Sequence, residues 1–389
     1  MKKALSFLSL ALLLAACGSP VSSSPIASSE TSSIEPPFIS SEAVESSVQE
    51  ATSEPTQASS SEPSSTSLVS SSLSSSSSQS SIAPKPWLKP TDDVGLGDQF
   101  YLNSIGDVFQ VWETYRGDGQ TIAVVDVGFN PYHPEFYYSD GTSKVSPLSA
   151  SFVTTGTSTT KQVGVEKVVN MGESHGTFCA GVAAAAINGQ GTVGIAPNAS
   201  LLLLKTDAKP RSINAEFKYA ADCGAKAISV SIGSYYDYTG DLNNDGSDLS
   251  TCFDEAVAYC KEKGSVVISA AGNGGLDGHR TEYTYPGAAK GVIGVAGLAA
   301  NEEAKIWSGS SINPHITVDL DERFVDCYAP ADQMYGPCHY DNKQYDGGWN
   351  GTSFAAPQVA GMAALYFEKN PAASVDNFIS ASGRILLEI

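Results

Sequence analysis

Thr121-Ile122-Ala123-Val124-Val125-Asp126 is the stretch on which the fold turns. It is a short, largely β-branched run with no polar interruption before its terminal carboxylate, the pattern of a strand covered on both faces in the middle of a sheet. Asp126 then stands at the carboxyl end of that strand, where open α/β sheets gather their chemistry. Similar runs follow at residues 201–204, 227–233, 266–270 and 292–297, with a short one at 325–329. Helical segments alternate with them. One is alanine-rich and begins near His175, and a second runs from Ser212 to Gly224. In a third, Phe253, Ala256, Val257 and Cys260 share a face ahead of Gly264, and Thr251 and Asp254 have capping-box spacing. The alternation predicts an α/β fold of three layers, a mostly parallel sheet with right-handed crossovers and helices on both faces. The polar, Thr-rich segment before Ser174 is assigned no element.

Upstream, composition divides the chain of 389 residues sharply. Lys2 and Lys3 precede an apolar run, residues 4–16, too short to span a bilayer and ending at Leu14-Ala15-Ala16-Cys17. Residues 1–17 therefore read as a signal peptide. Small residues before a cysteine resemble the bacterial lipobox, which implies a diacylated Cys17, held firmly because two chains anchor where one does so marginally. Residues 18–97 are rich in Ser, Pro, Thr and Glu and nearly devoid of large apolar side chains. They cannot offset their conformational entropy by burial, so a disordered spacer is expected between membrane and folded part. Structure is expected from residue 98 to residue 389. A net charge of −20 with no basic run argues against nucleic acid or anionic lipid as a partner.

Three side chains stand at element ends in the order acid, base, nucleophile: Asp126, His175 and Ser353. Ser353 lies in Asn350-Gly351-Thr352-Ser353-Phe354-Ala355-Ala356-Pro357, a tight loop feeding a helix whose Val359, Met362, Ala363 and Tyr366 recur among small residues. At a helix N-terminus unpaired N–H groups and the dipole favour developing negative charge, which suits an acyl-transfer nucleophile. A serine is weak at its own pKa and needs a base, and the base needs a carboxylate to fix its tautomer. Asn273, in the glycine-rich turn Gly272-Asn273-Gly274-Gly275, can donate to the oxyanion of a tetrahedral intermediate. Taken singly, an N-capping serine or a surface histidine is the more ordinary meaning of each residue.

Together these motifs resemble the subtilisin family of serine proteases, the subtilases. The matching segments are Val124-Val125-Asp126-Val127-Gly128, Ser174-His175-Gly176-Thr177, Ala271-Gly272-Asn273 and the loop around Ser353, with Gly194-Ile195-Ala196-Pro197 and Tyr285-Pro286-Gly287 between them. The residue order and the asparagine donor are known features of subtilisin. The resemblance implies a subtilisin-like peptidase domain, an endopeptidase that binds extended polypeptide as an added strand and acylates Ser353 without a cofactor. By position, Ser231, Ile232 and Gly233 face Ser269, Ala270 and Gly272 across the cleft, with Thr284 at the pocket floor and a broad or apolar preference. A monomer tethered to the outer face of a bacterial membrane follows.

Three departures accompany the likeness. Val127 stands where relatives carry Ser or Thr, removing one hydrogen bond to the catalytic carboxylate. No folding prodomain is visible, and the chain stops soon after Arg384, earlier than in typical relatives. These leave open a catalytically weak relative that binds peptides or proteins through the same cleft. Asp241, Asn243 and Asp245 alternate ahead of Gly246 as in a short calcium loop, though an Asx-Gly turn is the commoner meaning. The family likeness makes Asn188, in the loop that holds calcium in many relatives, a second and weaker candidate. Beyond Cys17, Cys327 and Cys338 are placed to close a local loop, which an extracytoplasmic setting permits. Cys252 and Cys260 stand about 12 Å of helical rise apart, beyond disulfide reach. Cys179 reads as a buried small residue, and an unperturbed His175 would make activity fall below about pH 6.

Overall fold

The computed structural model describes residues 93–235, 251–300, 305–313, 323–339 and 344–383. Cys17, the spacer up to residue 92, the loop with Asp241, Asn243 and Asp245, and Arg384 lie outside the described residues. The described part takes in Asp93, which is buried, and a 3-10 turn at Leu96–Asp98.

At the centre runs β1 (Thr121–Asp126), parallel to β4 (Ser200–Lys205) on one side and to β5 (Ala227–Val230) on the other. Beyond β5 lie β7 (Val266–Ala270), β9 (Ile293–Leu298) and β10 (Cys327–Pro330), all parallel. Beyond β4 lies β2 (Ala150–Thr155), parallel to it, and then β3 (Ser158–Val163), antiparallel to β2. The sheet has eight strands in the order β10-β9-β7-β5-β1-β4-β2-β3. Winding goes first to one side of β1 and then to the other, so Asp126 ends the strand at which direction reverses.

Both faces are covered, which explains the apolar runs. Ile122, Val124, Leu201, Leu203 and Ile268 point into one core, together with α3 (His175–Ala184) and α6 (Ala355–Lys369). Ala123, Val125, Leu202, Leu204 and Val267 alternate into the other, against α4 (Pro210–Asp222) and α5 (Asp254–Glu262). Each fully buried Val, Leu or Ile contributes roughly 1.5–3 kcal/mol relative to exposure. Two short helices, α1 (Tyr101–Ser104) and α2 (Val108–Trp112), join the first core, as does α7 (Val375–Gly383), whose Phe378 packs on Tyr366 and Phe367. The three-layer α/β expectation holds.

Local readings differ in a few places. The Thr-rich segment is the β2–β3 hairpin, half-buried along β2 and exposed along most of the edge strand β3. A second antiparallel hairpin, β11 (Met334–Pro337) and β12 (Tyr345–Trp349), leads into the Ser353 loop, and a small pair joins β6 (Ser234–Tyr235) to β8 (Thr284–Tyr285). No capping box forms at α5: the Asp254 N–H donates to the Thr251 carbonyl at 3.2 Å, with no side-chain cap. Cys327 carries a free thiol pushed up by burial, so it does not close the loop toward Cys338.

Candidate active site

α3 begins against the end of β1 because residue 176 is glycine. A Cβ there would collide with the Gly128 carbonyl oxygen and stand 2.8 Å from the Asp126 Cβ. That approach puts His175 Nδ1 at 2.9 and 3.1 Å from the two oxygens of Asp126. A carboxylate can only accept, so Nδ1 carries a proton, and in the neutral ring Nε2 is left as an acceptor. Val127 supplies its backbone N–H to Asp126 Oδ1 at 2.8 Å, so the residue that lacks a side-chain hydroxyl still holds the carboxylate. Burial works against an imidazolium here, yet the Asp126 carboxylate overcomes it and holds His175 well above the ordinary histidine value. The carboxylate is fully enclosed while the imidazole keeps 26 % of its surface, which limits the burial penalty on the ring.

Ser353 sits in a 3-10 turn, Thr352–Phe354, directly ahead of α6. Its hydroxyl donates to the Ser231 carbonyl at 3.3 Å. Its own carbonyl accepts from Ser231 Oγ at 2.7 Å and from Cys179 Sγ at 3.4 Å. Cys179 lies one turn along α3, 3.9 Å from His175 Nδ1, and burial pushes its thiol up. A neutral thiol wedged between two backbones packs and donates weakly, in keeping with a buried small residue. The adjoining Phe354 ring lies 5.6 Å from the His175 ring, so nucleophile loop and base helix are in contact.

Asn273 is oriented by Thr352. Its Oδ1 accepts both the Thr352 N–H and the Thr352 hydroxyl, each at 3.0 Å. A backbone N–H can only donate, so the amide oxygen is assigned by its partners and Nδ2 points the other way, 3.6 Å from where a Cβ on Gly351 would stand. The Thr352 hydroxyl also accepts the Gly272 N–H at 3.1 Å. Sequence reading missed this role of Thr352, whose only signal was its place between Gly351 and Ser353.

The expected cleft residues divide. Gly233 is exposed and Ile232 half-buried, while Ser231 is turned toward Ser353. Ala270 ends β7 and Gly272 follows it, but Ser269 is sealed within the strand, paired to Val230 on one side and Gly294 on the other, so its side chain does not line a cleft. Thr284 fills the gap between the two walls. A Cβ at Gly233 would stand 2.7 Å from Thr284 Cγ2, and one at Gly272 would stand 2.5 Å from Thr284 Oγ1, a buried hydroxyl with no hydrogen-bond partner.

The Asn188 loop does not fit a calcium ion, which needs about six to eight oxygens around it. It turns donors inward instead. The N–H groups of Asn188, Gly189 and Gln190 converge on Asp93 Oδ1 at 3.2, 3.0 and 3.1 Å, and that of Thr192 reaches Glu135 Oε1 at 2.7 Å. The Asn188 amide donates to the carbonyls of Pro134 and Tyr137, and its oxygen accepts the Gln190 N–H. The Gly191 and Val193 carbonyls are taken by the Gly95 N–H and the Gln99 amide. Burial pushes Glu135 up to about 8.

Residues 117–382 match the sequence profile of Peptidase S8, the subtilase family. Thermitase of Thermoactinomyces vulgaris is 33% identical over 271 residues, 68% of this chain and 81% of that protein. Subtilisin DY of Bacillus licheniformis is 29% identical over 276 residues, 69% of this chain and 85% of that one. Among solved structures, a protease of Pseudoalteromonas arctica superposes with a TM-score of 0.58 at 21% identity, covering 74% of this chain and 90% of its own, a likeness of fold.

Proposed function

This chain belongs to the subtilase family of serine endopeptidases, and from that premise we propose that Asp126, His175, Ser353 and Asn273 carry its chemistry. The observation that supports this most is the Asp126–His175 pairing, which protonates Nδ1 and leaves Nε2 able to take a proton. Ser353 Oγ attacks the scissile carbonyl carbon as its proton passes to His175 Nε2. Asp126 stays ionised beside Nδ1–H and stabilises the imidazolium. Asn273 Nδ2, held by the Thr352 contacts on Oδ1, donates to the oxyanion. The proton then goes to the leaving amine, the C–N bond breaks, and water hydrolyses the acyl-enzyme by the same relay. No cofactor is required.

Polypeptide is the substrate, bound as an extended strand between residues 231–233 and 270–272. Thr284 narrows the space between Gly233 and Gly272, which favours small side chains before the cut rather than the broad or apolar set the sequence suggests. In the same reading a diacylated Cys17 and the spacer tether a monomeric protease to the outer face of the membrane. Replacement of Cys17 by Ala should move the protein from the membrane to the soluble fraction, and retention in the membrane would remove the tether. A structural calcium ion on Asp241, Asn243 and Asp245 would raise the thermal midpoint, an effect that Asp245→Asn should abolish.

One observation favours the second reading, a peptide-binding module of weak activity: the Ser353 hydroxyl donates to the Ser231 carbonyl and must release it to reach His175. A serine-reactive phosphonate separates the two. Covalent labelling of the wild type, lost in Ser353→Ala, supports the peptidase. In Asn273→Ala labelling should persist while kcat drops by about 10²–10³-fold, as for loss of the corresponding donor in subtilisin. A folded chain that takes no label would leave the binding module.

A further inference from the structure

His339 lies two residues beyond β11, outside the triad, yet three of its bonds end around the base. Its backbone N–H donates to Ser174 Oγ at 3.0 Å, the residue directly before His175. Ring Nε2 lies 3.2 Å from the Asn170 carbonyl, and ring Nδ1 lies 3.3 Å from Thr177 Oγ1 in the first turn of α3. A carbonyl only accepts, so in the neutral ring Nε2 bears the proton and Nδ1 receives the Thr177 hydroxyl. That hydroxyl accepts the Asn130 N–H at 2.8 Å on a lone pair and keeps its own proton to give. One imidazole thus joins the loop before His175, the helix after it and, through Asn130, the loop that follows Asp126.

The other end of the same hairpin is β12, which runs into Asn350, Gly351 and the Ser353 turn. Met334 pairs with Trp349 across it. Trp349 stacks on Phe178 of α3 at 5.2 Å, and Phe178 meets Phe354 at 4.6 Å. The hairpin therefore touches base helix and nucleophile turn at once, the aromatic stack near the serine and His339 near the histidine. His133 steadies it, with Nε2 donating to the Gln344 carbonyl at 2.8 Å.

We propose that His339 is a positioning residue for peptide hydrolysis: by tying Asn170, Ser174 and Thr177 to the hairpin that carries the Ser353 turn, it sets the place of His175 relative to Ser353. The inference rests on the assignment of those two residues as base and nucleophile. It names a residue that never touches substrate and acts through His175.

The test compares His339→Ala and His339→Phe, which lose both ring bonds, with His339→Gln, which keeps a donor for the Asn170 carbonyl. Active sites are counted by phosphonate labelling, so unfolded protein does not enter the rate. For Ala and Phe we expect kcat per labelled site to fall roughly tenfold to a hundredfold with KM little changed, since misplacement by about 1 Å can cost that much. The acid limb of the pH profile should move down as His175 loses register with Asp126, and Gln should restore most of the rate. The His175 imidazole titration, followed by nitrogen-15 NMR in wild type and His339→Ala, reads the same displacement without turnover. A wild type that neither turns over nor labels would fail the peptidase assignment alone, and the titration would still decide the placement of His175. Unchanged kcat per site together with an unchanged His175 titration overturns the proposal, whatever the thermal midpoint does.

Discussion

His175 is pulled two ways, and the balance fixes a pH dependence. Burial disfavours its cation, while the Asp126 carboxylate at 2.9 Å favours it and wins, so the folded pKa stands well above the ordinary value near 6.5. A base must be neutral to accept the Ser353 proton, so kcat/KM should climb with pH through a value above about 6.5, rather than falling only below about pH 6 as an unperturbed ring would require. Asp126→Asn removes the favourable charge and leaves the burial, so its residual activity should show the limb displaced downward. A wild-type profile flat from neutrality down to pH 5 would contradict the pairing. Linkage sets the sign for stability as well. A folded pKa raised above the unfolded one gives stability that is complete below about pH 6.5 and fades as pH rises through the folded value. Catalysis and this contribution to stability therefore peak on opposite sides of the same titration.

At the scale of elements, the proposed pocket shows what short strands can do that the main sheet cannot. β6 and β8 pair over two residues each, with Tyr235 opposite Thr284, and that pairing holds Thr284 between Gly233 and Gly272. Thr284→Gly should leave kcat/KM on small side chains nearly intact and raise it for large ones, read by cleavage profiling on a peptide library. An unchanged profile would put the pocket floor elsewhere. None of this pair was legible, because two residues carry no period. The long strands were legible because both faces of the sheet are buried and their runs are uniformly apolar. β3 was not, since its edge position leaves residues 158–163 mostly exposed, and β12 was not, since Gly347 and Gly348 argue against a strand. The proposed set Asp126, His175, Asn273 and Ser353 could be picked out because each lies at or just beyond the end of a strand or the start of a helix, with a residue type suited to one role. The contacts of Thr352 and His339 could not, because each is made with a neighbour that only folding supplies.

Across the whole molecule, the described chain is fastened at its beginning rather than only at its centre. Asp93 is 3% exposed and gathers three successive N–H groups from residues 188–190, just past the C-terminal end of α3. The other end of that helix carries His175, about 15 Å away at 1.5 Å rise per residue. Anchorage and chemistry thus occupy opposite ends of one rod, and a change at the anchor should alter stability with little effect on the reaction. Asp93→Ala removes charge-assisted bonds worth roughly 1.5–3 kcal/mol, and the value should stay near the lower end because water can reach the exposed residues 189 and 190. Denaturant unfolding should show the stability lowered by that amount, with kcat/KM at 25 °C close to wild type. Calcium provides the discriminating condition. If the Asn188 loop is held by Asp93 and Glu135 as its hydrogen bonds indicate, a chelator leaves the difference between Asp93→Ala and wild type unchanged, because any ion bound elsewhere adds equally to both. If an ion held the loop instead, chelation would destabilise the wild type most and the difference would shrink toward zero.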